Sequence, residues 1–381
     1  MQGNSAEKVP LKKPPLTLYV PIFACMNSVQ SNRNFGLDIL RVVACYMVLQ
    51  IHTGEFYYIS PQGTVLHTAD AWWVGWYNSL FRVCVPLFVM LSGYYLFPVG
   101  NTKAFLKKRF ARVAIPFLIW CVLYAVYQYC IGTATLQQAG ENILNIPVNY
   151  GTDIGHLWFV YMLLGIYLFA PLISAWVQTA TRGGMQLYLA LWAVAMCLPY
   201  IHLLFPVVLG ECYWNKSPML YYFSGFLGYV ILANYIKRFY MQPQAGQYIV
   251  AVLLIIAGYA ITAGGFTHLL AKKDVVEQLE LTWGFETINV AMMAAGVFLL
   301  FKNITARNTS ATVKLVTDIS AKSYGIYLAH IMVLDNLYPL INPLFASAAI
   351  KVPLIAVVSF IGTYLVVKCL SFLPKSKWLI G

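Results

Sequence analysis

"GLDILRVVACYMVLQIH", residues 36–52, decides how the chain is read. From Val42 to Ile51 it is apolar except for Gln50, yet Arg41 and His52 bracket it. Ionisable side chains at the edge of a membrane span, or within it, are expensive and usually have a reason. Arg41 and His52 are 11 residues apart. At about 100° per residue they return to within about 20° of one direction and lie about 16 Å apart along the axis. Glu55 follows on a similar face, placed to orient or charge the imidazole. Spacing alone fits two readings equally. One is an interfacial arginine anchor with a histidine satisfied by a neighbouring helix; the other is the two ends of a reaction site.

Composition sets the surroundings. Of 381 residues, 60% are hydrophobic and 10% charged, with mean hydropathy +0.69. Soluble domains carry about 25% charged residues, so this balance belongs to the membrane. Aromatics at 15% fit Trp and Tyr belts at two lipid–water interfaces. The net charge of +12 comes without the basic runs interleaved with aromatics that a nucleic-acid surface needs. The 8 cysteines form no CxxC and no Cys/His metal spacing, so no metal is expected.

A span needs about 20 mostly apolar residues. Ten segments qualify: 37–58, 74–97, 113–132, 157–177, 185–206, 218–236, 247–266, 283–301, 322–344 and 352–372. With the N-terminus inside, twenty of the 25 Lys and Arg fall on the cytoplasmic side and four on the outer side, while Arg82 falls inside a helix. That bias is the positive-inside pattern. The expectation is an all-α polytopic membrane protein of about ten transmembrane helices, both termini cytoplasmic. Residues 1–34 read as a flexible tail, 35–373 as the membrane domain and 374–381 as a short basic cytoplasmic tail.

Other polar points stand out. In "KAFLKKRFARVAIP", residues 103–116, Arg109 and Arg112 share one face of a helix start. Such a pair fits a positive-inside loop or a phosphate clamp, since guanidinium forks match phosphate oxygens. Arg82 lies deep in the second span, followed by Pro86, Ser92 and Gly93. His156 opens the fourth span, Glu286 the eighth as a counter-ion for Arg82, and His330 and Asp335 lie in the ninth. Taken singly, His156 and His330 read as structural histidines.

Together these pieces resemble the bacterial integral-membrane acyltransferase-3 family, whose members O-acylate cell-surface glycans. The carriers of the resemblance are "LDILR" leading into "RVVACYMVLQIH" (Arg41 to His52), "PLFVMLSGYYLF" at 86–97, "RFAR" at 109–112, "HLWFVYMLLGIYLFAPL" from His156 and "SYGIYLAH" ending at His330. The likeness covers about residues 35–372; Tyr94 and Tyr95 depart from it, and the middle spans match less clearly. No fused SGNH esterase-like domain follows, so a stand-alone form is expected.

The resemblance implies a multi-pass protein of the bacterial cytoplasmic membrane. It would move an acyl group from cytoplasmic acyl-CoA, acetyl-CoA foremost, to a glycan or lipid-linked glycan hydroxyl. His52 would serve as general base with Glu55 beside it, a role suited to an imidazole that titrates near neutrality. Arg109 and Arg112 would meet the CoA phosphates, with Arg41 guiding the pantetheine arm. Arg82 and Ser92 are candidate oxyanion donors, and His156, Glu286 and His330 further substrate-contacting candidates. Membrane lipids are the remaining partner, and nothing in the sequence specifies an oligomeric state. The competing class is a transporter or flippase for a lipid-linked glycan, and a third, the membrane half of a racemase or sensor, would require a fused soluble domain.

Overall fold

The helix carrying the opening stretch, α1 (Phe35–Tyr58), begins where Asn34 caps it by accepting the Leu37 N–H. Asp38 in its first turn suits the positive end of the helix dipole. Its buried residues lie on all sides, among them Gln50 and Thr53. That is the pattern of a helix enclosed by others. Gly36 lets it begin in tight quarters: its N–H donates to the Ile304 carbonyl at 2.9 Å, and a Cβ there would collide with the Phe301 carbonyl oxygen.

The computed structural model describes residues 33–147, 155–205, 225–306 and 310–381, of which Asn34–Gly381 forms one compact unit. The tail expected over 1–34 falls almost entirely outside the described residues. After α1 come α2 (Ala69–Phe81), α3 (Cys84–Leu96), α4 (Thr102–Cys130) and the amphipathic α5 (Leu136–Asn145). A 3-10 turn, Gly155–Leu157, leads into α6 (Trp158–Thr179), followed by α7 (Arg182–Ala195) and α8 (Leu198–Leu204). Then follow α9 (Leu227–Phe239), α10 (Ala245–Leu270), the short α11 (Val276–Leu279), a 3-10 turn (Glu280–Trp283) and α12 (Ile288–Phe301). The chain closes with α13 (Ala311–Ala321), α14 (Ser323–Ile341), α15 (Ala348–Leu370) and α16 (Lys377–Ile380). Among the described residues there is no β-strand, only two isolated bridges.

Among the described residues, seven stretches are long and apolar enough to cross a membrane: Phe35–Tyr58, Ala69–Leu96, Thr102–Cys130, Gly155–Thr179, Arg182–Leu204, Ala245–Leu270 and Ala348–Leu370. The pair Val276–Trp283 and Ile288–Phe301, bent by 41°, adds an eighth if taken as one span. The protein is an all-α polytopic membrane protein. Two of the ten expected spans explain the difference in count. Segment 218–236 overlaps residues 206–224, outside the described residues. Segment 322–344 corresponds to α14, a continuous helix of 19 residues in which His330, Asp335 and Asn336 dilute the apolar run.

α1 packs against α2, α3, α12, α13, α14 and α15, so the ionisable pair sits on the bundle's central helix. At the C-terminus α16 folds back onto α4, where the Trp120 indole donates to the Leu379 carbonyl at 2.8 Å. Gly36→Ala should lower stability by about 1–3 kcal/mol through overpacking, read as a lower melting temperature in detergent. Gly100→Ala, with no atom in reach of an added Cβ, should leave it unchanged.

Candidate active site

The break between α2 and α3 places a charge inside the bundle. α2 ends at Phe81, the chain turns through Arg82 and Val83, and α3 starts at Cys84. Arg82 is 6% exposed, so its guanidinium needs partners from the protein. It donates from Nε to the Trp283 carbonyl at 3.0 Å and from Nη2 to Glu280 Oε2 at 3.1 Å. The Tyr58 hydroxyl donates to the other oxygen of Glu280. The guanidinium also lies 4.8 Å from the Trp283 ring centre and 5.0 Å from that of Phe285. The counter-ion is therefore Glu280, not Glu286 as the sequence led us to expect. The 3-10 turn Glu280–Trp283 brings Glu280 under Arg82, while Glu286 lies beyond it, beside Phe285.

His52 stands on α1, and its Nδ1 faces Glu55 Oε2 at 2.9 Å. Facing a carboxylate, Nδ1 is the donor of this pair, and in the neutral ring the lone pair is then on Nε2. Two more imidazoles surround it, from α14 and from the turn before α6. The His52 and His330 ring centres are 5.3 Å apart, His52 and His156 6.5 Å, and His156 and His330 4.9 Å. His330 Nδ1 donates to the Tyr327 carbonyl at 2.5 Å, and the Tyr327 hydroxyl donates to the His156 carbonyl at 2.5 Å. Both Nε2 atoms, of His156 and of His330, are buried without a hydrogen-bond partner among the described residues. Buried polar atoms in that condition are uncommon and mark a site for scrutiny.

Two cavities meet at His52. The first, about 200 Å³, lies on the side of the Arg82 pair and is walled by Val48, Val85, Phe88 and Phe285 together with Arg82 and Glu280. The second, about 620 Å³, opens toward the Tyr58 end of α1 between Tyr127, Gln128, Thr133 and Asp335. His52, Glu55, His156 and Trp158 line both.

The remaining candidates lie elsewhere. Arg41 is about three turns from His52, where it donates to Ser320 Oγ at 3.1 Å and lies 3.6 Å from Asp38. Ser92 is about one turn of α3 beyond Phe88 and lines neither cavity. Arg109 packs over Phe105 and Tyr167, and Arg112 is exposed beside it. The structure thus gathers His52, Glu55, Arg82, His156 and His330, and it leaves Arg41, Ser92, Arg109, Arg112 and Glu286 apart from the cavities. Sequence reasoning missed Glu280, which pairs with Arg82, and Tyr124 and Tyr127, which line the larger cavity. "DVVEQLELTW" carries three acidic residues and reads as a polar loop, with no signal that one of them turns inward.

The profile of the acyltransferase-3 family, described as an acyltransferase domain, matches residues 34–369. A serine/alanine racemase of Enterococcus gallinarum is 34% identical over 142 residues, 35% of this chain and 18% of the racemase. An amino-acid racemase of Enterococcus faecalis is 30% identical over 135 residues, 34% of this chain and again 18% of the relative. The nodulation protein NolL of Mesorhizobium japonicum is 22% identical over 161 residues, 40% of each chain. The chain thus spans under a fifth of the racemases and two fifths of the nodulation protein. No solved structure gives a significant match.

Removing one partner of a buried ion pair typically costs 3–5 kcal/mol, whereas replacing both by apolar groups can be neutral. Arg82→Leu should therefore lower stability by about 3 kcal/mol in lipid nanodiscs. Arg82→Leu with Glu280→Leu should recover most of that loss, read by thermal unfolding of the single and double variants.

Proposed function

We propose that this chain, which belongs to the acyltransferase-3 family of membrane acyltransferases, moves an acyl group, acetyl foremost, from cytoplasmic acyl-CoA to a hydroxyl of a cell-surface or lipid-linked glycan. The observation that carries the proposal is the Glu55–His52 pair at the meeting point of two cavities. An imidazole whose Nδ1–H is held by a carboxylate offers Nε2 as a base, the arrangement that orients histidine in hydrolytic triads. A transporter has no covalent use for such a pair.

In this mechanism the thioester occupies the smaller cavity and the acceptor hydroxyl the larger. His52 Nε2 takes the hydroxyl proton as the oxygen attacks the thioester carbon. The tetrahedral oxyanion collapses, the C–S bond breaks, and the imidazolium returns its proton to the departing CoA thiolate. Glu55 holds the ring and stabilises its transient charge. Arg82 faces the smaller cavity and is the donor best placed for the oxyanion, at a site where water is scarce and such donors count most. At the other end of α1, Arg109 and Arg112 meet the CoA phosphates and Arg41, held by Asp38 and Ser320, guides the pantetheine arm. Both clusters are then on the cytoplasmic side, and the Tyr58 end of α1 faces outward.

His52→Ala should lower acyl transfer by about 10²–10⁴-fold, the usual contribution of a positioned base, with the melting temperature retained. Glu55→Gln should lose less. Arg109→Ala with Arg112→Ala should raise the KM for acetyl-CoA without moving that of the acceptor. Thiol release by the purified protein in nanodiscs measures all three, and full activity of His52→Ala would falsify the assignment.

A further inference from the structure

The larger cavity carries information about what enters it. Its described lining holds two carboxylates, Glu55 and Asp335, and no lysine or arginine. Tyr127 and Trp158 supply aromatic surface beside them. Aromatic faces against apolar CH groups, with carboxylate oxygens accepting from hydroxyls, form a surface suited to a sugar. The same carboxylates repel a sugar that bears a negative charge, and more strongly where water is partly excluded.

His156 adds an independent observation. It is 8% exposed, it lines the cavity, and its Nε2 has no partner among the described residues. A buried nitrogen in that state is satisfied by a ligand that can both donate and accept, whichever tautomer the ring adopts. A hydroxyl does both. The His52 and His156 ring centres are 6.5 Å apart, a gap that suits two hydroxyls on neighbouring carbons, each held by one imidazole at about 2.8 Å. One hydroxyl meets the base and its neighbour meets His156.

We infer that the larger cavity is the acceptor site and selects an uncharged or cationic sugar with adjacent free hydroxyls, rejecting acidic sugars. This rests on the acyl-transfer reading above. His156 is then a specificity-determining residue that touches the acceptor, and Asp335 at the exposed rim is a charge filter.

The test uses the full chain in nanodiscs with methyl glucoside, methyl glucosaminide and methyl glucosiduronate as probes, each measured for binding by calorimetry and for acetyl transfer. The glucoside and glucosaminide should bind at least about tenfold more tightly than the glucosiduronate. Asp335→Lys, a change at an exposed position that does not threaten the fold, should erase or invert that ratio. His156→Phe should weaken binding of the glucoside about tenfold while binding of free coenzyme A, whose phosphates meet Arg109 and Arg112 in the mechanism above, stays unchanged, a split that a general packing defect does not produce. Equal binding of all three sugars, no sugar binding, or an unchanged ratio in Asp335→Lys overturns the inference. Charge-selective binding without transfer leaves the cavity's sugar selectivity standing and overturns the acyl-transfer reading, and with it the name of acceptor site; transfer without charge selectivity overturns the selectivity and keeps the acyl-transfer reading.

Discussion

A charge inside an apolar bundle has no water to turn to, so the chain must bring it a partner. Arg82 is the clearest instance here. The segment that answers it comes about two hundred residues later, and it comes bent: α11 and the 3-10 turn enter at an angle to α12 and deliver the Glu280 carboxylate and the Trp283 carbonyl together. Tyr58 closes the group from the end of α1. The same logic governs the opposite end of α1, where Asp38, Ser320 and Arg41 satisfy one another. Between these two polar knots α1 is tied to its neighbours at both ends, which fixes its height and rotation. The direction in which His52 points follows from that.

What lies around His52 is a consequence of where three other elements stop. The 3-10 turn before α6 sets down His156, and α14 passes close enough to bring His330 against both. The Tyr327 side chain links them by donating to the His156 carbonyl while its own carbonyl receives the His330 Nδ1–H. Two imidazoles are held in this way with their second nitrogens unpartnered, and a third is oriented by Glu55. Each unsatisfied buried group is destabilising in the free state, a cost that a bound polar partner would relieve.

Much of this was legible in the sequence. The separation of eleven positions from Arg41 to His52 already places both on one face of a helix, and the helix is observed. Arg82 announced itself as an intramembrane charge, because helical runs on either side leave it nowhere else to go. Its partner was misread: Glu286 is the first acidic residue next to the following apolar run, whereas Glu280 reaches inward only because the chain bends after α11. Bends of that kind depend on tertiary contacts and leave little trace in a hydropathy profile. His156 and His330 each resembled an ordinary core histidine because their significance is collective, and proximity between helices far apart in sequence has no period to detect. The span at α14 shows the converse, a helix whose polar residues lower the very apolarity by which spans are recognised.

His52 and Glu55 are neighbours on one turn of one helix. A base and its orienting carboxylate drawn from different helices would drift apart whenever those helices slid or tilted. Here they travel as a rigid unit, and the distance between them is set by backbone geometry that helix motions leave intact. In the proposed reaction, the neighbouring helices could shift to admit or release a substrate without detuning the imidazole. If the proposed reaction holds, substitutions in the cavity walls could alter what is bound while leaving the His52–Glu55 distance as it is.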